Sequence, residues 1–344
     1  MEAKLGEFDL IWRFFKAGSE SMAQNQTDQV LLGIGDDCAL LQPDAAQNLA
    51  VTSDMLVEGR HFFAGANPEW LGHKALAVNL SDLAAMGAQP IGFTLALSLP
   101  SVQEEWLAEF SKGLLELADF YQCPLVGGDT TSGPLSICIT VMGKVAKGEA
   151  LKRSGAKIGD DIYITGALGW ARLGLHCLQN QLAFDISTED KNKAVLALEK
   201  PNPRIQTGIA IRPFASAALD LSDGLSGDIQ HILKASQVGA VLFEDQLAKC
   251  WIDCNYKQHL TTQQQAQWVL AGGDDYELCF TAPTQHRLAL DNLRQQHPEL
   301  PNMLRIGQIT AGHQLQLLPY DKAMVAAVPI ASSGFDHFAN STAF

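Results

Sequence analysis

Six short motifs along the chain set an aspartate beside glycine, serine or threonine, most of them where an apolar β-like run ends or a helix-like run begins. They hold Asp36 and Asp37 (GIGDD), Asp54 (VTSDM), Asp82 (NLSDL), Asp129 (GGDTT), Asp220 and Asp223 (LDLSDGL), and Asp274 and Asp275 (GGDDYEL). Strands and helices that alternate through such junctions give an α/β or α+β class rather than a helical bundle or a fixed-period array. Carboxylates gathered in one cleft repel one another or take up protons unless hard divalent cations sit among them. A donor set of oxygens without a histidine or cysteine cluster selects magnesium, manganese or calcium over zinc. Asp near Gly also makes turns and helix caps, which accounts for any single motif more readily than for all six together.

The 344 residues, at roughly 150 per domain, point to two domains, each able to bury its own core. Hydrophobic residues at 47% and charged residues at 18% describe a folded globule without low-complexity segments. A net charge of −14 repels a phosphate backbone, so plain nucleic-acid binding is disfavoured. The start, MEAKLGEFDLIWRFF, lacks the layout of a signal peptide, and no apolar stretch of about 20 residues is present to span a bilayer, so a cytoplasmic, membrane-free protein is expected. The seven cysteines are scattered without a Cys-x-x-Cys spacing and are read as reduced thiols.

Phe8, Ile11, Trp12 and Phe15 recur at helical spacing and predict a short helix over residues 7–15. Strands are expected at 30–34, 49–53, 91–99, 125–126 and 135–145, with helices at 69–86 and 103–120. A Lys-, Gly- and Ser-rich stretch over 147–159 marks a linker, which sets an N-terminal domain at 1–148 and a C-terminal one at 149–344. In the second half, strands are expected at 161–165, 217–221 and 276–281, and helices from Leu168, over 191–199 and over 225–235.

The chain has no EF-hand loop and no G-x-x-x-x-G-K-[ST], and GIGDDC misses the third glycine of G-x-G-x-x-G. A magnesium-nucleotide site therefore suits the carboxylates better than calcium storage, because metals bridge protein carboxylates and polyphosphate oxygens. In GGDTT the two glycines let backbone N–H groups approach phosphate. Lys74, Val78 and Asp82 fall four apart on one helical face, either turned to a cleft or simply exposed. Arg153 is either a bidentate phosphate contact or a surface arginine. His61 is either structural or a ligand contact, and Phe335 either core or a stacking partner for an aromatic ligand.

With these motifs in order, the chain resembles the thiamine-monophosphate kinase family, within the superfamily that includes aminoimidazole ribonucleotide synthetase and selenophosphate synthetase. The resemblance runs from GEFDLIWRFF through GIGDDCALL, TSDMLVEGRHF, KALAVNLSDLAAMGAQP, GGDTTSGPLS, LKRSGAKIGDDIYITG, ALDLSDGLSGDI and GGDDYELCF to GFDHF, nearly the whole chain. It implies ATP-dependent phosphorylation of thiamine monophosphate to thiamine diphosphate by direct in-line transfer assisted by several Mg²⁺ ions. It also implies an aminoimidazole ribonucleotide synthetase-like α/β fold, with N-terminal domains pairing into an intersubunit β-barrel of a homodimer and a site in the cleft between the two domains. By position, Asp37, Thr52, Ser53, Asp54, Asp82, Asp129, Asp220 and Asp223 correspond to metal ligands. Gly128, Asp129, Arg153 and Ser222 correspond to ATP contacts, and His61, Asp274 and Phe335 to contacts with the thiamine phosphate.

Two positions depart from the family pattern. Asp274 stands where glutamate is common, and Ser132 where Arg or Lys often follows GGDTT. The acceptor phosphate is already ionised near neutral pH, so no acid–base residue is assigned. Another ATP-using synthetase of the superfamily, or a non-catalytic metal- and nucleotide-binding protein, are the competing readings.

Overall fold

The computed structural model describes residues 12–16, 30–32, 40–252, 254–319 and 327–330. Among these, one compact unit runs up to Leu83 and resumes over Ala88–Glu149, and a second comprises Ala84–Gly87 and the chain from Ala150 onward. Each unit carries its own sheet. Asp37 and Phe335 lie outside the described residues, as does most of the helix expected over 7–15. Its described end, Trp12–Lys16, is a π-helical turn that buries Phe14 and Phe15.

In the first unit β1 (Val30–Leu32) and β2 (Leu40–Leu41) make a small antiparallel pair. The main sheet contains β3 (Gln47–Val57), β4 (Gln89–Leu99), β5 (Leu125–Ser132) and β6 (Ser136–Ala146) in the order β3-β6-β4-β5. All neighbours are antiparallel except β4 and β5, which run parallel. That parallel step is made through helix α2 (Glu104–Phe120), the kind of crossover that a parallel pair requires. Helix α1 (Pro68–Ala85) joins β3 to β4. Leu71, Ala75, Leu76, Ala77, Val78, Leu80, Leu83 and Ala84 are all buried, so apolar residues surround this helix rather than forming one stripe. On α2, by contrast, Leu107, Phe110 and Leu114 face inward and Glu104, Glu105 and Glu109 outward.

Strand β3 alternates as a half-covered strand must. Ala50, Thr52, Asp54 and Leu56 share one face, while Leu49, Val51, Ser53 and Met55 share the other and are exposed. The strand is longer at both ends than the 49–53 expected, because the polar residues Gln47, Asn48 and Asp54 interrupt an apolar reading without interrupting the ladder. The GGDTT segment, which follows the strand expected at 125–126, is itself strand: Gly127–Ser132 pair with Thr94–Leu99. Gly128 has φ +150, and a Cβ there would sit 1.9 Å from the Leu95 carbonyl oxygen, so only glycine lets the two strands close.

The second unit is built on a seven-stranded sheet, β13-β12-β9-β11-β7-β10-β8. Its strands are β7 (Asp161–Thr165), β8 (Ala217–Asp220), β9 (Gly239–Phe243), β10 (Leu278–Ala282), β11 (Met303–Thr310), β12 (Leu315–Leu318) and β13 (Val328–Pro329). Only β12 and β9 are parallel neighbours. Helices α3 (Trp170–Leu178), α4 (Thr188–Glu199), α5 (Ile205–Ile211), α6 (Leu225–Ser236), α7 (Glu244–Cys250), α8 (Thr262–Ala271) and α9 (Arg287–Gln296) belong to this unit. Its core gathers Ile162, Ile164, Leu219, Ile229, Ile232, Ala240, Leu242, Cys279 and Ile306 from the sheet and the helices. The described cysteines, all but Cys38, are free thiols. No helix among the described residues is long and apolar enough to cross a membrane.

Candidate active site

In the first unit the aspartate motifs meet where β3 lies on α1. The Thr52 hydroxyl donates to Asp82 Oδ2 in a short hydrogen bond. The Asp54 N–H donates to Asn79 Oδ1 at 3.0 Å, and Asn79 in turn donates from Nδ2 to the Ala75 carbonyl at 3.1 Å. Burial, and then the charge of Asp82, push the Asp54 carboxyl up to about 6 from its ordinary 3.8. The two carboxylates thus share one partly desolvated electrostatic neighbourhood. Lys74 is 2% exposed, so the helical face that carries Lys74, Val78 and Asp82 turns inward rather than to solvent. Ser53 points to the opposite face of the sheet, where its hydroxyl meets Thr140 Oγ1 at 2.9 Å and the Ile139 carbonyl at 3.2 Å. Its side chain is not part of the Thr52–Asp54–Asp82 group.

Asp129 and Gly128 are exposed on β5, at the other edge of the sheet from β3. Three strand spacings of about 4.8 Å separate the two edges along the sheet, so the Asp54 and Asp129 backbones lie on the order of 14 Å apart. His61 sits in the turn after β3. Its Nδ1 accepts the Val57 N–H at 3.0 Å, which places the proton of the neutral ring on Nε2. Its own N–H donates to the Val57 carbonyl at 3.0 Å.

In the second unit, Asp220 ends β8 and is buried, paired in register with Leu278 of β10. The next turn carries Ser222 and Asp223 into α6. Asp228, which the sequence reading passed over, accepts the N–H groups of Asp223 and Gly224 on Oδ2 at 3.1 Å each. Burial and the neighbouring Asp223 charge raise its carboxyl to about 7, while the N–H groups of Asp223, Gly224 and Ser222 pull the other way. Gly273 packs over this turn; a Cβ there would lie 2.7 Å from the Ser222 carbonyl oxygen.

The GGDDYEL segment follows. Asp274 and Tyr276 both take left-handed backbone, φ +62 and +48, a conformation that costs a non-glycine residue about 1–2 kcal/mol. The Tyr276 hydroxyl lies 3.2 Å from Asp274 Oδ1 as donor. The Asp275 carboxylate accepts the Gly169 N–H at 3.0 and 3.2 Å, at the N-terminus of α3, and desolvation raises its pKa well above the usual range. Glu277 accepts from both nitrogens of the Arg204 fork and from the Thr165 hydroxyl at 2.6 Å. The motif therefore divides its acids: Asp275 and Glu277 hold the segment down, and Asp274 is the one set in strained backbone.

Arg153 is exposed, and the loop that bears it is pinned by Ser236 at the end of α6. The Ser236 hydroxyl accepts from the Gly155 and Ala156 N–H groups at 3.1 and 3.2 Å and donates to the Arg153 carbonyl at 3.2 Å. Burial and then the Arg153 charge lower the pKa of His231, with Asp223 opposing, which puts Arg153, His231 and Asp223 in one electrostatic neighbourhood. Among the described residues no group of three or more His, Cys, Asp or Glu side chains is drawn together as a metal cluster. Asn79, Asp228 and Ser236 were missed by sequence reading, and Asp275 was named only as a member of GGDDYEL, without its bond to Gly169. Asn79 alone left a sign, a polar residue in the apolar run ALAVNLSDLAAM three positions before Asp82.

The two-unit α/β architecture with aspartate-bearing junctions defines the AIR synthase-related class. The family profile described as AIR synthase related protein, N-terminal domain, matches residues 35–145. Thiamine-monophosphate kinase of Escherichia coli strain K12 is 46% identical over 334 residues, covering 97% of this chain and 98% of that protein. The crystal structure of thiamine-monophosphate kinase from Stenotrophomonas maltophilia K279a superimposes with a TM-score of 0.80 at 44% identity, over 91% of this chain and 96% of that one. A solved structure described as AaThiL complexed with AMPPCP and TMP superimposes with a TM-score of 0.70 at 26% identity, over 98% of this chain and 99% of that one. The chain belongs to the thiamine-monophosphate kinase family.

Proposed function

We propose that the protein transfers the γ-phosphoryl group of ATP to the phosphate of thiamine monophosphate, giving thiamine diphosphate and ADP, the last step in making that cofactor. Support comes from relatives bearing that name over nearly the full length and from the related structure holding an ATP analogue with TMP. The observation in this chain that carries the reading is the desolvated pair Asp54 and Asp82, clamped by Thr52 and Asn79. Two neighbouring carboxylates raise each other's cost of ionisation, and a hard divalent cation removes that cost.

This all-oxygen donor set fits Mg²⁺. In the first unit Asp37, Thr52, Asp54 and Asp82 would hold it, with Asp129 at a separate position on β5, and in the second Asp220 and Asp223. When bound, Mg²⁺ supplies neutralisation of the phosphate charges that otherwise repel. Gly128 and the edge N–H groups of β5, together with Ser222 and Arg153, serve the ATP phosphates. His61, Asp274 and Phe335 serve the thiamine phosphate. The ionised acceptor oxygen attacks in line without a protein base, so positioning dominates the chemistry.

A cytoplasmic homodimer is part of this reading. Strand β3 is an 11-residue sheet edge whose outer face exposes Leu49, Val51 and Met55 at 45%, 58% and 55%. Long apolar edges of this kind are covered by pairing with another strand.

The test is a coupled assay of the purified protein with ATP, thiamine monophosphate and Mg²⁺, scored for thiamine diphosphate. Asp82→Asn and Asp129→Asn are each expected to lower turnover by about 10²-fold or more with the fold intact. Absence of product from the parent points to another synthetase of the superfamily. Metal-dependent nucleotide binding without turnover on any acceptor points to a non-catalytic binder.

A further inference from the structure

In the second unit the two aspartate motifs, Leu221–Gly224 and Gly272–Glu277 in sequence, are stitched into one piece of backbone. The Asp274 N–H donates to the Ser222 carbonyl at 2.8 Å, the Tyr276 N–H to the Leu221 carbonyl at 2.9 Å, and the Leu221 N–H to the Glu277 carbonyl at 2.8 Å. Under this junction lies Asp228, 5% exposed and in the first turn of α6. Its carboxylate holds the Asp223 and Gly224 N–H groups at 3.1 Å each. Successive N–H groups converging at a helix N-terminus form a nest that attracts an anion. Here the chain fills the nest with its own carboxylate. Those N–H groups are consequently engaged, and the Ser222 carbonyl is taken by the Asp274 N–H.

We propose that Asp228 is a positioning residue for both motifs at once. By fixing the Asp223–Gly224 turn from below it sets the direction of Asp223. Through the Ser222 and Leu221 carbonyls it also sets the strained backbone at Asp274 and Tyr276. The inference rests on the reading above, in which Asp223 serves the metal–nucleotide side and Asp274 the thiamine-phosphate side. A helix cap that merely stabilised α6 would have no reach into the GGDD segment; the three cross-links give this one that reach.

Hydrogen exchange on the ligand-free, full-length protein tests it, together with steady-state kinetics. In Asp228→Ala the amides of Asp223 and Gly224, and also those of Asp274 and Tyr276, are expected to exchange about tenfold faster, with the amides of α1 unchanged. KM for ATP and KM for thiamine monophosphate should each rise about fivefold, with a smaller fall in kcat. Asp228→Asn keeps one acceptor oxygen without the charge and should show the same pattern at about threefold, so it carries the comparison if the alanine variant does not fold. Faster exchange at 223–224 with parental exchange at 274 and 276 overturns the proposal. So does a loss confined to kcat with both KM values unchanged, the mark of less active protein rather than of misplaced groups. Parental kinetics in Asp223→Asn and Asp274→Asn would instead remove the underlying reading and leave the exchange result on Asp228 standing.

Discussion

Glu277 is a buried acid that ties the GGDDYEL segment to Arg204 and Thr165, and its removal has a calculable cost. It is 5% exposed and accepts from the Arg204 Nε at 2.8 Å, from a second Arg204 nitrogen, and from the Thr165 hydroxyl at 2.6 Å. Thr165, fully buried, accepts the Leu278 N–H at 2.8 Å, so the network reaches directly into β10. Glu277→Ala takes the carboxylate away from the Arg204 guanidinium and from the Thr165 hydroxyl. Breaking a buried ion pair costs about 3–5 kcal/mol, and because the Arg204 side chain is 22% exposed, water reaches it and the lower end applies. The lost hydroxyl bond adds about 1 kcal/mol, for a total near 4 kcal/mol. At about 1.4 kcal/mol per factor of ten, amides of Leu278–Ala282 that open with unit 2 should exchange on the order of 10³-fold faster. Glu277→Gln, which keeps an acceptor for Thr165, should lose about half as much. The double variant Glu277→Leu with Arg204→Met should recover part of the loss, since an apolar pair leaves no stranded charge. A change under about 1 kcal/mol in Glu277→Ala, or a double variant as unstable as Glu277→Ala, would refute the reasoning.

The remaining predictions concern β5 and the packing of α3. Gly128→Ala places a methyl 1.9 Å from the Leu95 carbonyl oxygen and must part β4 from β5, so circular dichroism melting should show a loss of several °C and turnover should collapse with it; parental melting would refute the close approach. His176 stacks on Trp268 with ring centroids 5.0 Å apart, and its Nε2 lies 3.1 Å from the Arg172 Nε donor. Burial, then the Arg172 charge, lower its pKa below the ordinary 6.5. The unfolded chain therefore binds more protons at this site, and the neutral ring's contribution is full above 6.5 and lost as pH falls through the lowered folded value. The stability difference between the parent and His176→Gln, from urea denaturation, should shrink between about pH 7.5 and 5; a difference independent of pH would refute it.

How much of this was legible depended on where the physical signal lay. The helices at Pro68–Ala85 and Glu104–Phe120 were readable because each is long and ends at a turn signal. The strands at Asp161–Thr165 and Ser136–Ala146 were readable from their β-formers. Helix α4 begins three residues before its expected start, at Thr188, because the Ser187 hydroxyl accepts the Asp190 N–H at 3.0 Å, a cap whose S-T-E-D signature was open to view. Helix α8 went unread although Thr261 and Gln264 form a capping box, since its TQQQAQ start carries no apolar period. Strands β9, β11 and β12 were missed as short runs that periodicity does not separate from loop or helix. In the site, the Thr52–Asp82 contact spans 30 residues and the Asp275–Gly169 contact spans 106. No local pattern encodes such pairings; they follow from sheet order and from which strand face meets which helix.

The recurrent aspartates, which look alike in sequence, divide in the structure by what offsets their charge. Asp228 and Asp275 are answered by main-chain N–H groups at the starts of α6 and α3. This is the turn-and-cap chemistry that the motifs share with many proteins. Asp54 is not answered that way: burial, and then the charge of Asp82, raise its carboxyl to about 6. The cap reading thus holds for Asp228 and Asp275, and the cation reading is left, as a proposal, to other members of the set. They are also interdependent, because a flexible ligand loses entropy each time it is immobilised on a cation. Acids spent on holding backbone in place reduce that loss for acids kept for the ligand. A sequence that sets Asp274 beside Asp275, and Asp223 five residues before Asp228, places a backbone-holding acid close to one that the proposed function gives to metal or substrate at both junctions of the second unit.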